Sequence, residues 1–238
     1  EDVKELIRRE AKKIKIKTFE EGIDWKITEK DFSKKKFVLN FKNSSFNFQF
    51  PSLAGEHQIE NASTAISTVL SLNKKRITRE TINKGITSTV WPARMQKLEN
   101  GKLSYLLGKR FEIWLDGGHN LDASKILRRT IEKWNNKPII LIIGMMVGKD
   151  PLNFLRQLVK NISSLFLLPI PDHQYIQPYE IKENIERSFS NTLKIECSLN
   201  ITEALKVIKK QYSDGKIIIC GSLYLAGEVL KQDGFKIN

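Results

Sequence analysis

The sequence predicts an α/β fold with a mostly parallel sheet, and three observations carry that prediction. From Phe111 onward, short apolar runs alternate with stretches of helical spacing. The first of these runs, Ile113-Trp114-Leu115, stops abruptly at Asp116-Gly117-Gly118-His119-Asn120, and a helical pattern begins at Leu121. The last run, Lys216–Cys220, stops in the same way at Gly221-Ser222. Strand, tight turn and helix start, repeated, imply parallel strands with helices on both faces.

Taken in order, the chain opens on an amphipathic helix pattern, Val3 to Lys13, with Val3, Leu6, Ile7 and Ala11 on one face. Ile14-Lys15-Ile16-Lys17 alternates like a short strand. Phe37–Phe41 and Phe46–Phe50 flank Lys42-Asn43-Ser44-Ser45 and read as a β-hairpin that Pro51 ends. A helix follows, opened by Leu53–Ala62 and running to about Leu72. His57 and Asn61 stand one turn apart at its beginning, able to face a ligand or simply to finish the helix start. Ile77 to Ile86 reads as a shorter helix with Thr78 as its cap.

Val90-Trp91-Pro92-Ala93-Arg94-Met95-Gln96 changes the register, and we place a domain boundary there: residues 1–91 on one side, 92–238 on the other. Asn100-Gly101 suggests a hairpin turn between Met95–Glu99 and Leu103–Leu107. Beyond it the strand patterns are Phe111–Leu115, Pro138–Ile143, Ile162–Leu168, Leu193–Ile195 and Lys216–Cys220. The helical ones are Leu121–Trp134, Pro151–Lys160, Pro178–Phe189, Ile201–Tyr212 and Ser222–Gln232. The second part therefore reads as one Rossmann-like domain, and the first as the tail of another.

Composition narrows the function classes. The 238 residues are 40% hydrophobic and 28% charged, with no apolar run long enough for a membrane span and no signal peptide at the start. Cys197 and Cys220 lie in apolar strand-like runs, which suggests reduced, buried thiols in a cytoplasmic protein. The net charge of +13 invites a nucleic-acid reading, but the lysines are dispersed and no nucleic-acid-binding signature accompanies them. A solvated surface or an anionic small substrate accounts for the charge as well.

Among the motifs, Gly144-Met145-Met146-Val147-Gly148-Lys149-Asp150 imitates a phosphate loop. Only three residues separate its glycines, and an acid follows the lysine where Ser or Thr would hold Mg²⁺, so we reject that reading. Lys149 could still meet an anionic substrate group, or be a surface lysine in a turn. Ser222 could offer a hydroxyl at a helix start, though its simpler role is the N-cap. Asp116, at the carboxyl end of a strand, is suited to accept hydrogen bonds from sugar hydroxyls, or it merely caps a turn. The three histidines, His57, His119 and His173, form no metal or triad spacing.

Four separated segments then match one family in order: His57–Ala65, Trp91-Pro92-Ala93-Arg94-Met95-Gln96, Leu115–Asn120 and Gly221-Ser222-Leu223-Tyr224. They resemble the downstream half of folylpolyglutamate synthase/dihydrofolate synthase, in the Mur ligase superfamily. The stretch from Ile143 to Asp150 also looks like that family's segment after the second strand of its C-terminal domain. The resemblance implies a Rossmann-like C-terminal ligase domain preceded by the tail of a Mur-ligase-type central ATPase domain. It implies an ATP-dependent amide ligase that adds L-glutamate to dihydropteroate or a folate through an acyl phosphate. Carried over, Asn61 would contact adenine, Arg94 at an interdomain hinge the ATP phosphates, and Asp116 the ribose hydroxyls. His119 would lie beside the nucleotide, and Lys149 and Ser222 would be candidates for glutamate's carboxylates. The pattern departs at Ala93, where Gly commonly precedes the arginine, and at Gly117-Gly118, where Gly-Ala is more usual.

The same resemblance places the Gly-rich ATP loop, the Mg²⁺ ligands and the pterin-binding elements upstream of Glu1. The chain is accordingly expected to be a fragment that binds no metal itself and cannot ligate alone, from a monomeric enzyme binding neither nucleic acid nor membrane. The alternatives are a Mur-type peptidoglycan ligase, against which the Gly-Ser-Leu-Tyr segment argues, and a non-catalytic Rossmann-like binding module.

Overall fold

A computed structural model describes residues 2–74, 76–134, 137–189 and 193–235. The chain forms two compact units, Glu1–Val90 and Trp91–Asn238.

The first unit begins with α1 (Val3–Lys13), capped by the Asp2 carboxylate. Of its apolar face only Ala11 is buried, and Val3, Leu6 and Ile7 are exposed. The expected strand at Ile14–Lys17 does not form. Ile14 ends the helix, Lys15 turns the chain with φ +54°, and no sheet partner is offered. The hairpin is present as β2 (Lys36–Phe41) and β3 (Ser44–Gln49), and it is completed by a strand that charge concealed, β1 (Trp25–Asp31). In β1 only Trp25 is fully buried, so Lys26, Glu29 and Lys30 diluted its alternation. Helices α2 (His57–Ser71) and α3 (Arg79–Ser88) bring Ile59, Ile66 and Ile82 into one core with Trp25, Phe37, Leu39, Phe41 and Phe48. Thr78 and Thr81 make a reciprocal capping box at the start of α3.

The second unit is a six-stranded sheet with helices on both faces, as the alternating pattern requires. Its strands are β4 (Gln96–Leu98), β5 (Phe111–Leu115), β6 (Ile139–Ile143), β7 (Ser164–Leu167), β8 (Lys194–Cys197) and β9 (Gly215–Cys220), in the order β4-β5-β9-β6-β7-β8. Only β4 runs antiparallel to its neighbour. The hairpin expected around Asn100-Gly101 is absent. β4 pairs with β5 instead, and Lys102–Leu107 is a short helix, α4, because Leu103 and Leu107 bury one turn apart. Helices α5 (Leu121–Glu132), α6 (Pro151–Arg156) and α7 (Pro178–Ser188) pack together, whereas α4 touches α8 (Ile201–Gln211) and α9 (Leu223–Asp233). Two apolar layers result, one on each side of a sheet whose central strand β6 is wholly buried.

This topology locates a crevice. The chain leaves β5 and β6 towards one helical layer, and leaves β9, which lies between them, towards the other. Connections that diverge around a central strand open a cleft at the strands' carboxyl ends, where ligands of such sheets bind. Of the two cysteines, Cys220 is buried as expected, but Cys197 is exposed, since β8 is the sheet's edge. Among the described residues, no helix is long and apolar enough to cross a membrane.

Candidate functional site

The turn after β5 is held by its own acid. Asp116 Oδ1 accepts from the Gly118 amide at 2.7 Å, and Oδ2 accepts from the Met95 amide at 2.9 Å. The Asp116 amide continues the β5–β9 ladder by donating to the Ile219 carbonyl. One carboxylate thus closes its own turn and also ties down the segment that precedes β4. Charge-assisted bonds of this kind are about twice as strong as neutral ones.

The Ala93–Met95 segment needs such a restraint. Ala93 sits at φ +57° and Met95 at φ +44°, both in the left-handed region that favours glycine. Each such residue costs about 1–2 kcal/mol. Three hydrogen bonds oppose the cost. Ala93's amide donates to Gln96 Oε1 at 2.9 Å, its carbonyl accepts from Gly117 at 2.8 Å, and the Met95 amide's bond to Asp116 completes the set. Arg94 is thereby displayed between two buried neighbours, itself half-buried. Its guanidinium meets no acceptor among the described residues.

Glycine is required at one place in this cluster, Gly221, whereas at Gly117 an added Cβ would meet the end of the exposed Leu223 side chain, which can shift. Gly221 has φ +102°, and its Cβ would lie 2.8 Å from the Gly144 carbonyl oxygen. Close backbone packing of the turns after β5, β9 and β6 follows, with Gly221 donating to the Gly118 carbonyl at 2.8 Å. Beneath them, burial pushes the Cys220 thiol well above its ordinary range, and the Asp116 charge adds to the shift.

The remaining sequence-predicted residues divide. His119 is half-buried beside this turn, its Nδ1 3.3 Å from the Gly117 carbonyl. Asn120 caps α5 through the Ala123 amide. Ser222 is buried and caps α9, accepting from the Tyr224 amide at 3.1 Å. Lys149 is exposed, and Asp150 after it caps α6 through the Asn153 amide, so the acid that spoils a phosphate loop has a structural task. In the first unit Asn61 is exposed on α2, and its Nδ2 donates to Gln58 Oε1 at 3.0 Å. Gln58 in turn lies 3.0 Å from His57 Nε2. The second unit therefore gathers Arg94, Asp116, His119 and Ser222 about the same strand ends, with Lys149 on the loop after β6.

Sequence reasoning missed the side chains that join these residues. Gln96 and Gln58 each stood inside a quoted motif, but a glutamine's role as acceptor depends on which amide it meets. It also missed the rim. His173 lies against Tyr224 with the rings tilted by 41° and their centroids 3.9 Å apart, and Val147 and Ile176 amides tie the loops after β6 and β7 together. A groove of about 600 Å³ opens farther along the sheet, against Tyr175, Tyr179, Cys197, Leu199 and Val207, and none of the sequence-predicted residues lines it.

Residues 99–232 match the family model for the dihydrofolate synthetase C-terminal domain. The chain belongs to the folylpolyglutamate synthase/dihydrofolate synthase family. It is 27% identical over 236 residues to folylpolyglutamate synthase of Lacticaseibacillus casei, an alignment covering 94% of this chain and 51% of that protein. In fold it is similar to Mycobacterium tuberculosis folylpolyglutamate synthase complexed with ADP, with TM-score 0.83 and 16% identity over 99% of this chain and 53% of that one. It is likewise similar to E. coli FolC in complex with DHPP and ADP, with TM-score 0.76 and 16% identity, covering 95% and 50%. The chain spans about half the length of the family relatives it matches. Family membership and the α/β architecture thus agree with the expectation drawn from the four motifs. The Mur-type peptidoglycan ligase alternative loses its ground.

Proposed function

We propose that the chain provides the C-terminal part of an ATP-dependent ligase that joins L-glutamate to dihydropteroate, a reduced folate, or both. The observation that carries this reading is Arg94, whose backbone is pinned on both sides beside the carboxyl end of β5 and whose guanidinium meets no acceptor among the described residues. A guanidinium presented in this way is suited to clamp a phosphate bidentately. The family match supports a nucleotide phosphate as that anion.

In this reading Arg94 grips the nucleotide phosphates and Asp116 meets the ribose hydroxyls. His119 lies beside the nucleotide, and Asn61 contacts adenine. Lys149 receives a glutamate carboxylate, with Ser222 as a further candidate. The reaction transfers the γ-phosphoryl group of ATP to the acceptor's carboxylate and releases ADP. Glutamate's amine nitrogen then attacks the acyl carbon, displacing phosphate and losing a proton. The residues named here bind and orient; neutralising charge and fixing geometry are the main demands of such transfers. Among the described residues no group of three His, Cys, Asp or Glu could hold a metal ion. By itself the chain is proposed to bind nucleotide without ligating glutamate. We further propose a monomer working in the cytoplasm, without nucleic acid as a partner.

The test is ATP-dependent incorporation of labelled glutamate into dihydropteroate or tetrahydrofolate by the full-length protein, before and after Arg94→Ala. Loss of turnover with a raised KM for ATP is expected. Ligation at undiminished ATP affinity in the variant would remove Arg94 from the site, and duplex binding that falls steeply with salt would favour a nucleic-acid module instead.

A further inference from the structure

We infer that Gln96 is a positioning residue for Arg94, acting through the backbone of the strained segment between them; this inference rests on the proposed contact of Arg94 with nucleotide phosphate. The Gln96 side chain touches no group to which a ligand role has been given. Its Oε1 accepts from the Ala93 amide at 2.9 Å, three residues back along the chain. Gln96 is itself fixed, because it opens β4 and pairs in register with Leu115, the residue before Asp116. Two acceptors anchored at adjoining places in one strand pair therefore seize the segment from both ends, Gln96 at Ala93 and Asp116 at Met95.

Between these two points both Ala93 and Met95 are left-handed, at φ +57° and +44°. L-residues leave that region readily when nothing holds them. Releasing Ala93's amide lets the segment relax to negative φ, which swings the Cα–Cβ direction of Arg94 away from its present aim. The guanidinium has no partner within the described residues to hold it once the backbone moves. The alanine at position 93 is what makes Gln96 necessary, since a glycine there would adopt the same φ without penalty.

The experiment is a double-mutant cycle on the full-length protein, with ADP as the probe and calorimetric titration as the readout. Gln96→Ala is expected to weaken ADP about three- to tenfold, the size of one lost hydrogen bond. In the Arg94→Ala background the same change should have no further effect. Ala93→Gly added to Gln96→Ala should restore most of the affinity, because glycine needs no restraint at φ +57°. Gln96→Asn, which withdraws the acceptor by one methylene, is the milder variant should the alanine protein not fold, and the same pattern is expected of it. If Gln96→Ala weakens ADP equally with and without Arg94, or if glycine at 93 rescues nothing, the positioning role is overturned while the nucleotide reading stands. If Arg94→Ala leaves ADP binding unchanged, the nucleotide reading itself falls and the positioning role falls with it.

Discussion

Two loops at the carboxyl end of the second unit's sheet each present a cation, and they do it by opposite means. Ala93–Met95 is short, left-handed at two residues and pinned by Asp116, Gln96 and Gly117, so the backbone that carries Arg94 is held in one place. The loop after β6 carries Lys149 exposed, its amide donating only to the nearby Met146 carbonyl. A guanidinium that must match a phosphate's geometry gains from a rigid mount; an ammonium on a long flexible stem gains little from one. The difference teaches which loop to read as a clamp and which as a steering or docking charge.

The largest effect expected from breaking this contrast comes from the glycine on which the three turns converge. Gly221→Ala sets a Cβ 2.8 Å from the Gly144 carbonyl at φ +102°. It should destabilise the second unit by at least about 2 kcal/mol, measured by urea unfolding. A midpoint within error of the original would mean the turns after β9 and β6 are slack. Asp116→Ala comes next. It leaves the Met95 and Gly118 amides without their acceptor and should cost about 2–3 kcal/mol of stability along with nucleotide affinity. A variant that lost affinity alone would make Asp116 a ligand group rather than the pin of the clamp.

Ala93→Gly sharpens the comparison from the other side. Removing the Cβ penalty at φ +57° should stabilise the unit by about 1 kcal/mol and leave ADP affinity as it was. A fall in stability would show that the segment is not strained. Lys149→Ala should change stability by less than about 0.5 kcal/mol, since the residue is exposed and outside every core. The glutamate KM should rise with kcat little altered, and an unchanged KM would leave Lys149 as surface.

The smallest effect is chemical. Burial raises the thiol pKa of Cys197 and, far more completely, that of Cys220. At pH 8 both are mainly protonated, so alkylation should be slow at exposed Cys197 and should reach Cys220 only on unfolding; the rate at Cys197 should climb as pH rises towards its raised pKa. Fast modification of Cys220 in the native protein would contradict the tight convergence of turns above it.

Much of this was legible in the sequence, and the pattern of what was not has a cause. Helix starts at Thr78, Asn120 and Ser222 could be read because a cap interacts with amides two or three residues away. Strands β6 and β9 could be read because burial on both faces makes them almost continuously apolar. The strand β1 and the helix α4 could not, since charged edge positions and a six-residue span leave too little periodicity. The motif Trp91–Gln96 was visible as a motif, but its hydrogen bonds were not.

The sequence by itself determined the α/β class, the family and the residue types at the strand ends, because each rests on local spacing. Only the tertiary structure decided that β9 inserts between β5 and β6, bringing residues 93–96, 116–119, 144 and 221 together. It alone decided that Asp116 spends its carboxylate on two backbone amides, and that Gln96 faces Ala93. Hydrogen bonds between segments far apart in the chain follow from the sheet order, and sheet order is set by how two apolar layers close around β6, which no local pattern encodes.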